Sequence, residues 1–189
     1  MIAGHFGFAA MVKSRERSAP LWGLMLATVW LDVVFIPLFL AHRETLQSIH
    51  AGYGGAIIHA DYTHSIFGML ALSAALGAMF LPRLGRRVAL VIALVSASHW
   101  VLDLVVHRPD MPVLPGNAGN LPYFGFGLWN YPRAAACVEL ALVIAGAIMY
   151  WRAAMEVSAQ AGRNGRLASI SAAMIAVFGL LVLFLDYTS

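Results

Sequence analysis

VALVIALVSASHWVLDLVVHRPD, residues 88–110, is the stretch that decides the fold. Its run from Val88 to Val106 is apolar at nearly every position. At 1.5 Å rise per residue, about 20 such residues carry a helix across a hydrocarbon core about 30 Å thick. The same run holds His99 and Asp103, with His107 four residues further on. An ionisable side chain at that depth costs about 3 kcal/mol or more, so it faces the bundle interior and marks a functional site. The stretch therefore reads as a membrane span that also carries a site.

The rest of the chain agrees with a membrane setting. Of 189 residues, 61% are hydrophobic and 11% charged, too little charge to cover a water-soluble surface. Hydropathy places spans near residues 20–41, 58–81, 88–106, 132–151 and 168–186. The expected fold is an all-α integral membrane protein: one domain over residues 1–189, about five transmembrane helices and a short N-terminal membrane-inserted helix. MIAGHFGFAAMV, residues 1–12, is too short to span and precedes the basic cluster, unlike a secretory signal. Lys13, Arg15, Arg17, Arg83, Arg86, Arg87, Arg152, Arg163 and Arg166 fall in alternate connections, which places those connections on the cytoplasmic side. The expected location is a bacterial inner membrane, with the basic N-terminal segment cytoplasmic. The net charge of +3 reflects anchoring and gives no reason to expect nucleic acid. Cys137 is the only cysteine; it excludes an internal disulfide and is expected to pack within its helix.

Polar residues recur at one level of the expected spans. Asp32 lies roughly 14 Å below the outer end of span 1, and His99 and Glu139 each roughly 11 Å below the outer ends of spans 3 and 4. Asp103 and His64 sit slightly higher, and His5 approaches from the inserted N-terminal segment. Residues four apart share a helix face, so His99 and Asp103 can hold one ion, while His107, roughly 12 Å above His99, belongs to the mouth or to a second ion. The same spacing on span 2 groups Asp61, His64 and Ser65 on one face. His42, Arg43, Glu44 and His50 read as solvated loop residues. Imidazole and carboxylate donors without thiolates suit zinc, with manganese or iron as alternatives.

At these residues the chain resembles the YdjM-like family of membrane-bound metal-dependent hydrolases. The matching pieces are Gly4 and His5, Asp32 in the first long apolar stretch, "YTHS" at 62–65, "SHWVLD" at 98–103 and "PVLPG" at 112–116. In order and spacing they cover about two thirds of the chain. Ala60 and Asp61 stand where the family has His-Arg, and Asp32 stands alone where it has paired aspartates. The resemblance implies an integral membrane protein whose His and Asp residues bind a divalent metal and activate water.

The expected site has His64, His99 and Asp103 as core ligands, with His5 and Asp32 completing the shell. Glu139 is the expected general base, or Asp32 if Glu139 turns away. His107 and Arg108 are expected at the rim, receiving an anionic headgroup. The expected substrate is a membrane lipid or another amphiphile, hydrolysed from the outer side. The rival readings are a transporter or proton pathway, and a small accessory subunit of a larger membrane complex. Small residues such as Ser73, Ala74, Gly77 and Gly146 suit helix packing either within one chain or between chains, so a homo-oligomer is an open alternative.

Overall fold

The computed structural model describes residues 1–188. Six helices are present among them: α1 (Ile2–Arg15), α2 (Leu21–Thr28), α3 (Trp30–Leu40), α4 (Ile66–Val106), α5 (Pro132–Gln160) and α6 (Arg166–Thr188). Two short strands, β1 (Thr45–Ser48) and β2 (Ala56–His59), pair antiparallel between α3 and α4. The protein is thus an all-α membrane protein with a minor strand hairpin. By length and apolarity α4, α5 and α6 can each cross a membrane, and α2 with α3 makes a fourth crossing if the bent pair is one span.

With 41 residues, α4 is about twice the length one crossing needs. Gly85 adopts φ 77° and ψ 170°, a combination essentially confined to glycine, and there the chain folds back. Ser73 donates to Ser96 at 2.9 Å across the two arms. Gly77 faces Ala89 and Ala93 so closely that a Cβ there would lie 2.8 Å from the Ala89 carbonyl. The two arms are the expected second and third spans, one helix by hydrogen bonding but two in space.

Two boundaries differ from the hydropathy reading. The first span breaks at Val29, where α2 and α3 meet at a 48° bend. The second begins at Ile66 and not near residue 58, because AIIH forms β2. Gly52 and Gly54, both at positive φ, supply the reversal that lets the β-branched pair Ile57 and Ile58 align against Gln47 and Leu46. His59 is consequently on a strand and His64 in a turn, so the expected helical face of Asp61, His64 and Ser65 does not form. Cys137 is exposed on α5 instead of packed inside.

The short N-terminal helix lies at the centre. Ala3, Gly4, His5, Gly7, Ala9 and Ala10 of α1 are all buried, and α1 packs against α2, α4, α5 and α6. Small residues let backbones approach: a Cβ on Gly7 would fall on the Leu142 carbonyl, and one on Gly146 on the Gly7 carbonyl. One end of the bundle is basic and tied by ion pairs, Arg87 to Glu16 at 2.8 Å and Arg17 to Glu156 at 2.5 Å. The strand hairpin and the 107–131 connection cover the other end, where Phe126 and Tyr131 are among the most exposed aromatics. Trp129 of the same connection is buried, its ring 4.5 Å from that of His107.

Candidate metal centre

Beneath that cover, side chains from four separate segments meet. Asp32 comes from the first turn of α3, His64 from the turn before α4, His99 and Asp103 from the returning arm of α4, and His5 from α1. His99 Nε2 is 2.9 Å from Asp103 Oδ2, 3.2 Å from His64 Nε2 and 3.5 Å from Asp32 Oδ1. His64 Nε2 is 3.6 Å from Asp32 Oδ1 and 3.7 Å from Asp103 Oδ2. His5 Nε2 meets the other oxygen of Asp103 at 3.0 Å, and its ring stacks on His99 with centroids 4.0 Å apart. The structure therefore brings together all five expected ligands, in two overlapping groups: His5, His99 and Asp103, and Asp32, His64 and His99.

The local structure explains why each ring faces inward. A helix end leaves carbonyls without intrahelical partners, and the break at Val29 frees the Thr28 carbonyl, which accepts from His99 Nδ1 at 2.8 Å. The Thr28 hydroxyl donates to the His5 carbonyl at 3.0 Å. Ser65 caps α4 by accepting from the Gly68 amide, and the indole of Trp100 donates to the His64 carbonyl at 2.7 Å. The tryptophan of the SHWVLD stretch thus holds the histidine from the other arm.

These partners decide the tautomers. A carbonyl only accepts, so His99 carries its proton on Nδ1. The Thr63 hydroxyl lies 3.0 Å from both Glu44 oxygens, to which it donates, so it accepts from His64 Nδ1 at 2.9 Å. In their neutral forms both rings then turn Nε2 lone pairs toward each other and toward two carboxylates. With neutral rings these acceptors repel one another unless a proton or a cation lies among them, and the Met1 ammonium approaches Asp103 Oδ1 only to 4.0 Å. With ligand bonds of about 2.1 Å, a tetrahedral ion spaces its donors about 3.4 Å apart, close to the 2.9–3.7 Å that separate the His64 and His99 Nε2 atoms from each other and from each carboxylate; Asp32 and Asp103 fall in different groups of mutually close donors. The donor set fits a divalent metal ion.

The remaining expected site residues are placed differently. Glu139 is fully buried, accepts from the Gly4 amide at 2.9 Å and from the Tyr53 hydroxyl, and is not part of the cavity wall. His107 is buried, not on the rim; its Nδ1 meets Asp110 at 2.8 Å and its Nε2 lies 3.7 Å from Asp103 Oδ2. The Arg108 guanidinium donates to the Gly54 and Ala56 carbonyls and to Asn130, so it clasps the strand hairpin instead of awaiting a headgroup. Burial pushes the Asp61 carboxyl up from its ordinary value, outside the cluster.

A cavity of about 440 Å³ opens beside the cluster. Asp32, His64, Asp103 and His107 are among its polar lining residues, with Tyr53 and Asp186; Phe35, Ile36, Leu46 and Ile58 are among its apolar ones. The Asp32 side chain is 38% exposed, whereas those of His64, His99 and Asp103 are at most 4%. Asp32 is the ligand candidate turned toward the opening. Glu44, expected as a solvated loop residue, is buried at 1% exposure, and no local sequence signal marks it, since its partners Tyr62 and Thr63 lie 18 and 19 positions away. Comparisons with family models, curated proteins and solved structures return no match.

Proposed function

We propose that the protein is a membrane-embedded metal-dependent hydrolase acting on a lipid or amphiphilic substrate from the outer side of a bacterial inner membrane. The observation that carries this reading is the junction of the His–Asp cluster with a cavity whose lining is mostly apolar. A bound divalent ion, most simply zinc, supplies a lowered pKa for water and a Lewis acid for the oxygen of an ester, amide or phosphoryl group.

The chain's own residues supply the remainder. His64, His99, Asp32 and Asp103 would hold the ion, and His5 steadies Asp103 through its second oxygen. Both histidine contacts to Asp32 use Oδ1, so Oδ2 is the proton acceptor for the attacking water and returns that proton to the leaving oxygen. Asp32 takes this role in place of Glu139, whose carboxylate is committed to Gly4 and Tyr53. Phe35, Ile36 and Leu46 accept an acyl chain, and the half-open side of α3, where Ile36 is 55% exposed, admits it sideways from the bilayer.

A transport pathway would need polar residues through the basic half of the bundle. There Leu24, Ala27, Leu76, Ile92 and Val95 pack into a continuous apolar cluster instead, which favours a one-sided cavity.

Purified protein in detergent should hydrolyse a long-chain ester lipid faster than its water-soluble short-chain counterpart. Chelation should abolish that activity, and zinc should restore it. Chelation should also lower the unfolding temperature, since a ligand at about 1,000 times its Kd stabilises by about 4 kcal/mol. Chelator-insensitive hydrolysis, or an equal rate on both substrates, would reject the reading.

A further inference from the structure

Glu44 is a charged residue in a loop, yet it is one of the most deeply buried side chains in the molecule. Burial of a carboxylate is costly unless it is paired or richly hydrogen-bonded. Glu44 Oε1 accepts from the Tyr62 amide at 2.9 Å and the Thr63 amide at 2.8 Å, and the Thr63 hydroxyl lies 3.0 Å from each of its oxygens. That hydroxyl in turn meets His64 Nδ1 at 2.9 Å. The backbone amide of Glu44 donates to the Leu38 carbonyl in the last turn of α3, the helix that carries Asp32.

We infer that Glu44 is a positioning residue that acts through Thr63 to fix the tautomer and orientation of the His64 imidazole, and that it locks this ligand to the helix bearing Asp32. The inference rests on the metal-centre reading and adds to it the group that sets metal affinity. An imidazole whose other nitrogen donates into a carboxylate-backed partner is oriented and made more basic toward a metal, and losing such a partner weakens binding about 10–100-fold. Thr63 extends the arrangement by one hydroxyl: it gives its proton to Glu44, so only its lone pair remains for His64. Two clasps therefore close on the cluster from opposite sides, Thr28 on His99 and Glu44 with Thr63 on His64.

Thr63→Val is the cleanest test, because valine keeps the shape while the amide contacts to Glu44 remain. Zinc affinity is measured by competition with a chromophoric chelator, and the His64 tautomer by ¹⁵N resonance of its ring. Thr63→Val and Glu44→Gln should each weaken zinc about 10–100-fold, and Thr63→Ser should restore it. The wild-type ring should hold its proton on Nδ1 in the metal-free protein, and Thr63→Val should mix the tautomers. If the wild type binds zinc and Thr63→Val binds it equally well with an unchanged tautomer, the positioning role is overturned while the metal centre stands. If the wild type binds no zinc, the metal centre falls, and the tautomer measurement still decides whether Glu44 orients His64.

Discussion

Alanine in place of His99 should reduce bound metal to background and hydrolysis by more than about 100-fold, the upper end of what loss of an outer partner alone costs. His99 touches more of the cluster than any other residue: Asp103, His64 and Asp32 all lie within 3.5 Å of its Nε2. Its removal leaves two carboxylates facing one another without the imidazole between them, and strands the Thr28 carbonyl inside the protein. Breaking one partner of a buried charged set costs about 3–5 kcal/mol, so His99→Ala should also unfold at lower temperature. Metal content of the purified variant and its thermal unfolding check both statements. A variant that keeps one equivalent of metal would show that His99 is not a ligand.

The second large effect comes from a residue remote from any chemistry. Gly146→Val should dislodge α1 and destroy the site although Gly146 touches no ligand. Its Cα sits against the Gly7 backbone, where a Cβ would collide with the Gly7 carbonyl, and backbone cannot move aside as a flexible side chain can. Overpacking a well-filled core costs about 1–3 kcal/mol. Here it also shifts the helix that carries His5 and the Gly4 amide bound by Glu139. The expected outcome is loss of bound metal together with a lowered unfolding temperature. Wild-type metal binding in Gly146→Val would mean that α1 does not hold the site together.

How much of this was legible in the sequence depends on whether the signal was local. Helix length, apolar content and the alternation of basic connections reflect the solvent preference of each residue taken singly. They identified the membrane fold and the helices of four expected spans, the second beginning eight residues later than expected, while the first proved to be a bent pair. Asp32, His64, His99 and Asp103 stood out because an ionisable group in an apolar run has few explanations, and the structure brings them and His5 into one cluster.

What the sequence hid depends on long-range pairing. AIIH at 56–59 has the hydrophobicity of a helix start, and only its partner strand across the Gly52–Gly55 reversal makes it β2. The break at Val29 has neither proline nor glycine to announce it; its consequence, a carbonyl for His99, appears only once α2 lies against α4. Arg108 and His107 looked like rim residues because depth was counted along a straight helix. The 107–131 connection instead folds back over the helix end and encloses His107, while Arg108 turns to the strand hairpin. Glu44 looked like solvated loop because nothing near it in sequence announces burial; its partners Tyr62 and Thr63 are 18 and 19 positions away.

Diffraction data collected at the absorption edge of the metal bound by the purified protein test the central claim most directly. A single anomalous peak about 2.1 Å from His64 Nε2, His99 Nε2, Asp32 and Asp103 is the predicted result. Absence of any peak, with the four side chains satisfied by protons or water alone, or a peak elsewhere in the bundle, would contradict it.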